Sequence, residues 1–332
     1  MKKHSTVLII LCLVISSCGL TTKGQNGAKG KDGENSKTIT ITKDEVKDIV
    51  SYLASDELKG RNTGTEGIEL AANFIQKQFE DNGVKPFFKG FRDEFKFKSR
   101  KDSITGFNVV GYLEGTDEKL KNEFIVIGAH YDHIGFAKKV ENDTIANGAN
   151  DNASGTAAVM SIAKYFSAKK NNKRSLIFAL FSAEEMGLRG SAHLAEKLKS
   201  QNVDLYTMIN FEMIGVPFVD RDYEAFLTGY DKSNFAGKFN EYSGSNLIGF
   251  SEVSKKYGLF KRSDNFAFYK SFGVPSHTIS SCDLTNFDFY HKVGDESDEM
   301  NYEFMANLIN KTIPGIEKIA NTATREITLN EK

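Results

Sequence analysis

Five short runs rich in apolar residues punctuate the chain: NVVGYL (108–113), FIVIGAH (124–130), SLIFALFSA (175–183), YTMINFE (206–212) and PSHTIS (275–280). A strand with one wet face alternates apolar and polar residues, whereas near-continuous apolar runs mark strands covered on both faces. Between them, TAAVMSIAKYF (156–166) and GSAHLAEKLKS (190–200) carry helical spacing. The stretch from Asp44 to Gly83 predicts a helix in two parts, with Ala71, Ala72, Phe74, Ile75 and Phe79 on one apolar face and Gly83 as its stop. Strands alternating with helices predict an α/β fold, a mostly parallel mixed sheet with helices on both faces. In such sheets a ligand sits beyond the carboxyl ends of the strands.

The pattern begins only at Ile39. Before it, Lys2 and Lys3 precede the apolar run Val7–Ile15, which is far shorter than the ~20 residues of a membrane-spanning helix, so residues 1–17 read as a signal peptide. Its ending, Ile15-Ser16-Ser17-Cys18, resembles a bacterial lipobox, which makes Cys18 the expected lipidated residue; an ordinary secretory signal is the alternative. Glycines recur at 24, 27, 30 and 33, but without proline and over too few triplets for a collagen helix. Residues 18–38 are therefore expected to be a flexible tether, residues 39–325 one domain, and 326–332 a polar tail. The expected location is extracytoplasmic, on a bacterial membrane through the lipid anchor, at its periplasmic or surface face.

Composition narrows the function by exclusion. Of 332 residues, 40% are hydrophobic and 26% charged, a globular balance, and 43 basic against 44 acidic side chains leave a formal charge of -1. No global field draws this chain to nucleic acid. Once Cys12 leaves with the signal and Cys18 is lipidated, Cys282 is the one remaining thiol, so no internal disulfide forms.

The chemistry gathers where the strands end. His130 closes one run, Glu184 and Glu185 follow another, Glu212 ends a third, Asp151 lies in GANDNASG ahead of a helix, and His291 stands in FDFYHKVGDESD. Adjacent glutamates raise each other's pKa, so stability alone does not favour them. Two divalent metals about 3.5–4 Å apart need a bridging carboxylate and a further anion each. With Asp151 as the bridge, His130 and Glu212 could complete one site, and Glu185 and His291 the other. Glu184 is then left over as a general base.

Six blocks, GAHYDHIG (128–135), GANDNASG (148–155), FSAEEMGLRGS (181–191), NFEMIG (210–215), RSDNFAFY (262–269) and YHKVGDESD (290–298), resemble in order those of the zinc aminopeptidases with a co-catalytic metal pair. Glutamate carboxypeptidase, glutaminyl cyclases and the transferrin receptor belong to the same group. The resemblance covers nearly all of residues 44–320. It implies a zinc exopeptidase-like sandwich, two Zn2+ ions, and peptide substrates hydrolysed from the amino end. By position it implies His130, Asp151 and Glu212 on one zinc, Asp151, Glu185 and His291 on the other, and Glu184 as base. It further implies that Asp132 orients the His130 ring, that Tyr290 stabilises an oxyanion, and that Asp264 lies near the site. One departure is Glu212, where the family usually carries Asp. His133, His193 and His277 are expected to be structural, as is Cys282, and SDELKGRNTGTEG (55–67) to play a supporting part. The rival expectations are a single-zinc glutaminyl cyclase and a metal-free binding protein.

Overall fold

Leu176, Phe178 and Leu180 face one core and Ile177, Ala179 and Phe181 the other, so one strand serves two hydrophobic layers. That is the physical content of a continuous apolar run: with period two, each face needs its own apolar set. The protein is described by a computed structural model over residues 39–99 and 102–331. The expected signal peptide, Cys18 and tether lie outside the described residues.

The strands are β1 Lys85–Pro86, β2 Arg92–Ser99, β3 Asp102–Leu113, β4 Glu123–His130, β5 Gly135–Val140, β6 Asp143–Ala146, β7 Ser175–Phe181, β8 Asp204–Phe211, β9 Ala225–Leu227, β10 Ile248–Gly249 and β11 Ser276–Ser280. The α-helices are α1 Lys43–Leu53, α2 Glu66–Asp81, α3 Gly155–Lys169, α4 Arg189–Ser200, α5 Phe235–Ser243, α6 Glu252–Lys256, α7 Asn265–Phe272 and α8 Tyr302–Asn321. The main sheet runs β1-β3-β7-β4-β8-β11-β9-β10, with β2 also on β3. Its centre, β7-β4-β8-β11, is parallel, while β3 runs antiparallel to β7 and β9 antiparallel to β11. The mixed α/β sheet is therefore as expected, with parallel strands where both faces are covered.

Helices α1, α2, α3, α5 and α8 bury their apolar faces in the larger core, and α4 and α7 in the smaller. Removing a fully buried ring such as Phe178 from a core of this kind costs about 3–5 kcal/mol. Helix α1 starts at a capping box: Thr42 Oγ1 accepts the Glu45 N–H at 3.3 Å and Glu45 accepts the Thr42 N–H at 3.1 Å. Strand β2 was not legible as an apolar run because it pairs only with β3 and alternates buried and exposed residues. The C-terminus corrects the expected tail. Ile327 is buried and donates its N–H to the Tyr206 hydroxyl, and Leu329 bridges to Ser233, so residues through Leu329 pack onto the domain.

Candidate metal centre

The parallel strands deliver their carboxyl ends to one rim. His130 is the last residue of β4, Glu184 and Glu185 follow β7, Glu212 follows β8, Asp151 lies in the turn before α3, and His291 in the loop after β11. Three of these turns pass through left-handed backbone at non-glycine residues, Ala183 (φ 56°), Met213 (φ 50°) and His291 (φ 57°). Such conformations cost on the order of 1–3 kcal/mol each and persist where surroundings hold them. Here the Ala183 N–H is held by Thr63 Oγ1 at 2.8 Å and the Met213 N–H by Asn152 Oδ1 at 3.0 Å.

Asp151 stands at the centre with its two oxygens facing opposite ways. Oδ1 lies 3.4 Å from His130 Nε2, and Oδ2 lies 3.3 Å from His291 Nε2. Glu185 Oε2 is 3.1 Å from the same His291 nitrogen, and Glu185 Oε1 is 3.0 Å from His133 Nδ1. His133, Asp151, Glu185 and His291 each place a ligand-type atom within 4.8 Å of the others. The histidine expected to be purely structural thus enters the cluster, hydrogen-bonded to a ligand candidate.

Burial and charge set unusual protonation states. Burial opposes the charge on Asp151, yet the contacts with His130 and His291 and the nearby His133 hold its carboxyl well below the usual range. Burial raises Glu184 well above that range, and Glu212, Asp264 and Glu185 add to it against the pull of His130. Glu212 and Asp264 are each pushed up to about 7, again chiefly by burial. His291 rises to about 10: burial pulls it down, but Asp151 and Glu185 outweigh that. Asp264 is fully buried and neither of its oxygens has a hydrogen-bond partner; Glu212 Oε2, His130 Nε2 and His291 Nε2 share that state. Buried polar atoms left bare are costly, and those on His130 and His291 face carboxylate oxygens at 3.3–3.4 Å. Tetrahedral zinc with bonds of about 2.0–2.1 Å separates its ligand atoms by roughly that span. The donor set therefore fits zinc.

Hydrogen bonds to the backbone assemble the rim. Asp295 accepts the N–H groups of Asn150 at 2.7 Å and Asp151 at 3.0 Å. Asn152 donates to the Phe211 carbonyl at 3.0 Å, tying the Asp151 turn to the end of β8. Arg61, fully buried and lowered to about 10 by burial, donates to the carbonyls of Leu53, Tyr131, Asn147 and Gly148. Sequence reasoning named none of these three residues: Asn152 and Asp295 stand within the matched blocks, and Arg61 lies in SDELKGRNTGTEG (55–67), the segment expected to play a supporting part. Asp132 meets His130 through its backbone. His130 Nδ1 lies 3.1 Å from the Asp132 carbonyl, while the Asp132 carboxylate is 3.7 Å away and accepts instead from Thr63 and the Glu184 N–H.

The centre opens into a cavity of about 410 Å³, lined by the carboxylates and by Met213, Phe226, Leu259, Leu284 and Tyr290 among others. The Tyr290 ring stacks on His291 at 4.0 Å, and burial with the nearby Asp151, Glu185 and Glu212 raises its phenol pKa. Among the described residues, His277 and His193 are held by local contacts away from the cluster, in keeping with the structural part expected of them. His277 Nδ1 lies 2.8 Å from the Thr228 carbonyl and its pKa falls to about 4 through burial; His193 stacks on Phe95 beside Asp93.

A parallel-centred sheet whose strand ends converge on a carboxylate shared between histidines defines a candidate metal centre in an α/β fold. The chain belongs to peptidase family M28, whose model matches residues 108–313. It is similar to a probable zinc metalloprotease of Pyrenophora tritici-repentis, with 32% identity over 193 residues that make up 55% of this chain and 37% of that protein. The match thus spans little more than a third of that relative's length. In fold it is similar to BSAP, a zinc aminopeptidase from Bacillus subtilis (TM-score 0.67, 14% identity, 89% of this chain and 100% of that one). It is similar to the same degree to Fimbriiglobus ruber glutaminyl cyclase (TM-score 0.66, 18% identity, 87% and 99%). Two differently named activities share this fold, so the side chains must discriminate.

Proposed function

We propose that this protein is a zinc-dependent exopeptidase, acting as an aminopeptidase on peptides. The observation that carries the reading is Asp151, whose two oxygens address His130 on one side and His291 on the other. A carboxylate so placed is the bridge that a two-ion centre needs. His130, Asp151 and Glu212 would hold one zinc, and Asp151, Glu185 and His291 the other. Bound there, zinc supplies Lewis acidity toward a scissile carbonyl and makes water acidic enough to be a nucleophile near neutral pH.

The protein's own groups do the rest. Glu184 lines the cavity without a hydrogen bond to its carboxylate among the described residues; burial and the neighbouring carboxylates raise its pKa in the metal-free centre, which makes it a stronger base once ionised. It is placed to take a proton from water and to pass it to the departing amine. Tyr290, beside His291 on the same wall, is the phenol that would stabilise the oxyanion. Met213, Phe226, Leu259 and Leu284 form an apolar wall for a substrate side chain. Asp264, fully buried and close enough to His130, Asp132 and Glu185 to feel their charges, is the further carboxylate beside the donor set.

The test is elemental analysis of the domain beginning at Ile39 beside kinetics on aminoacyl anilides, N-blocked peptides and N-terminal glutamine. About two zinc ions per chain with hydrolysis of free-amine substrates supports the reading. One zinc at saturation with release of pyroglutamate replaces it by the cyclase.

We also infer that the protein is an extracytoplasmic lipoprotein, on the strength of the apolar run Val7–Ile15 followed by Ser16-Ser17-Cys18. Among the described residues no helix is long and apolar enough to cross a membrane; the attachment proposed is lipid at Cys18. Cys18→Ala releasing the protein from the membrane fraction, or blocking its processing, supports this; a soluble wild type with a different mature N-terminus rejects it.

A further inference from the structure

His133 is fully buried in the centre, yet the ligand set above gives it nothing to do. Its Nδ1 lies 3.0 Å from Glu185 Oε1, within hydrogen-bond distance, and 3.8 Å from Asp151 Oδ2, beyond it. His291 meets the other oxygen of the same glutamate, Oε2, at 3.1 Å. The two histidines therefore divide the carboxylate between them.

We propose that His133 is a positioning residue for Glu185: its Nδ1–H occupies Oε1, so that Oε2 alone is presented to metal beside His291 and Asp151. The inference rests on the metal reading above. A glutamate side chain has three rotatable bonds and can bind a metal through one oxygen or two, so a fixed donor on one oxygen selects both its direction and its mode. The donor is itself fixed. Gly148, at φ +62°, packs so closely on the ring that a Cβ there would come within 2.6 Å of His133 Cγ and Cδ2. Arg61 holds the carbonyls of Asn147 and Gly148 on the other side. The imidazole is thus wedged between the turn that carries Asp151 and the glutamate that follows β7. Its edge-to-face contact with His291, at 5.6 Å between ring centres, closes the arrangement.

The pair His133→Asn and His133→Gln separates positioning from packing. An asparagine amide nitrogen falls near the place of Nδ1, whereas a glutamine amide falls near Nε2, so only asparagine restores the bond to Oε1. Metal-free protein would be titrated with zinc against a chromophoric chelator, and the cobalt-substituted forms compared by visible absorption. The expected result is an unchanged metal count at saturation in both variants. The affinity of the weaker-held ion falls about 10–100-fold in His133→Gln, the usual effect of losing a partner behind a metal ligand, and recovers to within a few-fold of wild type in His133→Asn. Equal zinc affinity in all three proteins overturns the proposal. So does loss of one whole metal equivalent in both variants with a changed cobalt spectrum, which makes His133 a ligand. If wild type takes up no zinc, the metal reading itself fails, and that result is visible before any variant is compared.

Discussion

Asp132 accepts the backbone N–H of Glu184 at 3.2 Å, which ties the turn after β4 to the turn after β7. The residue expected to orient His130 meets it with its carbonyl, and its carboxylate accepts from the backbone of Glu184 and from Thr63. Replacing Asp132 by Ala keeps the carbonyl that meets His130 and removes the acceptor of the Glu184 N–H, so kcat is expected to fall by about 10–100-fold, the scale seen when groups behind an active site are removed, while zinc at His130 is largely retained. Thr63→Val, which breaks the hydroxyl link between Asp132 and Ala183, should act in the same direction by less. Kinetics and zinc titration of both variants check this; wild-type kcat in Asp132→Ala would remove Asp132 from the site.

The adjacent glutamates should separate cleanly. Glu184→Gln keeps the ligand set and removes the base, so zinc content persists while kcat falls by roughly 10²-fold or more. Glu185→Gln weakens a charged ligand, so its activity falls with lost metal and recovers in part as zinc is raised. Metal stoichiometry measured beside rate decides, and the opposite pattern reverses the two roles.

Glu212 stands where the family usually carries Asp, with burial holding its pKa at about 7. Because Glu212→Asp keeps the charge and the donor type, it is expected to retain both metals and substantial activity, whereas Glu212→Ala loses the metal shared with His130. Loss of zinc in Glu212→Asp would show that the longer side chain is required by the distance it spans.

Zinc binding should release protons and flatten a pH dependence of stability. Without metal, Glu184, Glu212, Asp264 and His291 all have raised pKa values, with Glu212 and Asp264 at about 7 and His291 at about 10. For a carboxyl raised on folding, the native state binds more protons than the unfolded one between the two pKa values, so stability falls as pH climbs from about 4 to 7. For the raised histidine, the stabilisation is complete below about 6.5 and is lost toward 10, which has the same sign. Metal-free protein is therefore expected to have a lower Tm at pH 8 than at pH 5.5. Ligands bind metal deprotonated, so calorimetry in buffers of different ionisation heat should show more than one proton released per chain on saturation near pH 6.5. A metal-free Tm that rises over this range contradicts the assigned states.

Arg61 answers four carbonyls from the centre of the rim. Arg61→Ala leaves those buried acceptors bare at about 1–3 kcal/mol each before relaxation, so a loss of about 3 kcal/mol or more is expected by chemical denaturation. Arg61→Lys, a point donor without the planar fork, should recover only part of it.

The sequence alone determined where the chemistry would be. Apolar runs such as SLIFALF and YTMINF mark covered parallel strands, because the run length and period follow from burial on both faces, and such strands end at the ligand side. The turn residues at those ends, His130, Glu184, Glu185 and Glu212, were therefore legible as a set, and the ordered blocks around Asp151 and His291 completed it. What only the tertiary structure decided is which atoms meet. Arg61 reaches Gly148 across 87 positions of chain, Asp295 reaches Asn150 across 145, and His133 reaches Glu185 across 52. Local propensity acts over a few residues, whereas the partner of a buried carbonyl, N–H or imidazole is set by what packing brings within about 3 Å. For that reason His133 looked like one more core histidine in GAHYDHIG and became, once folded, the neighbour that divides Glu185 with His291.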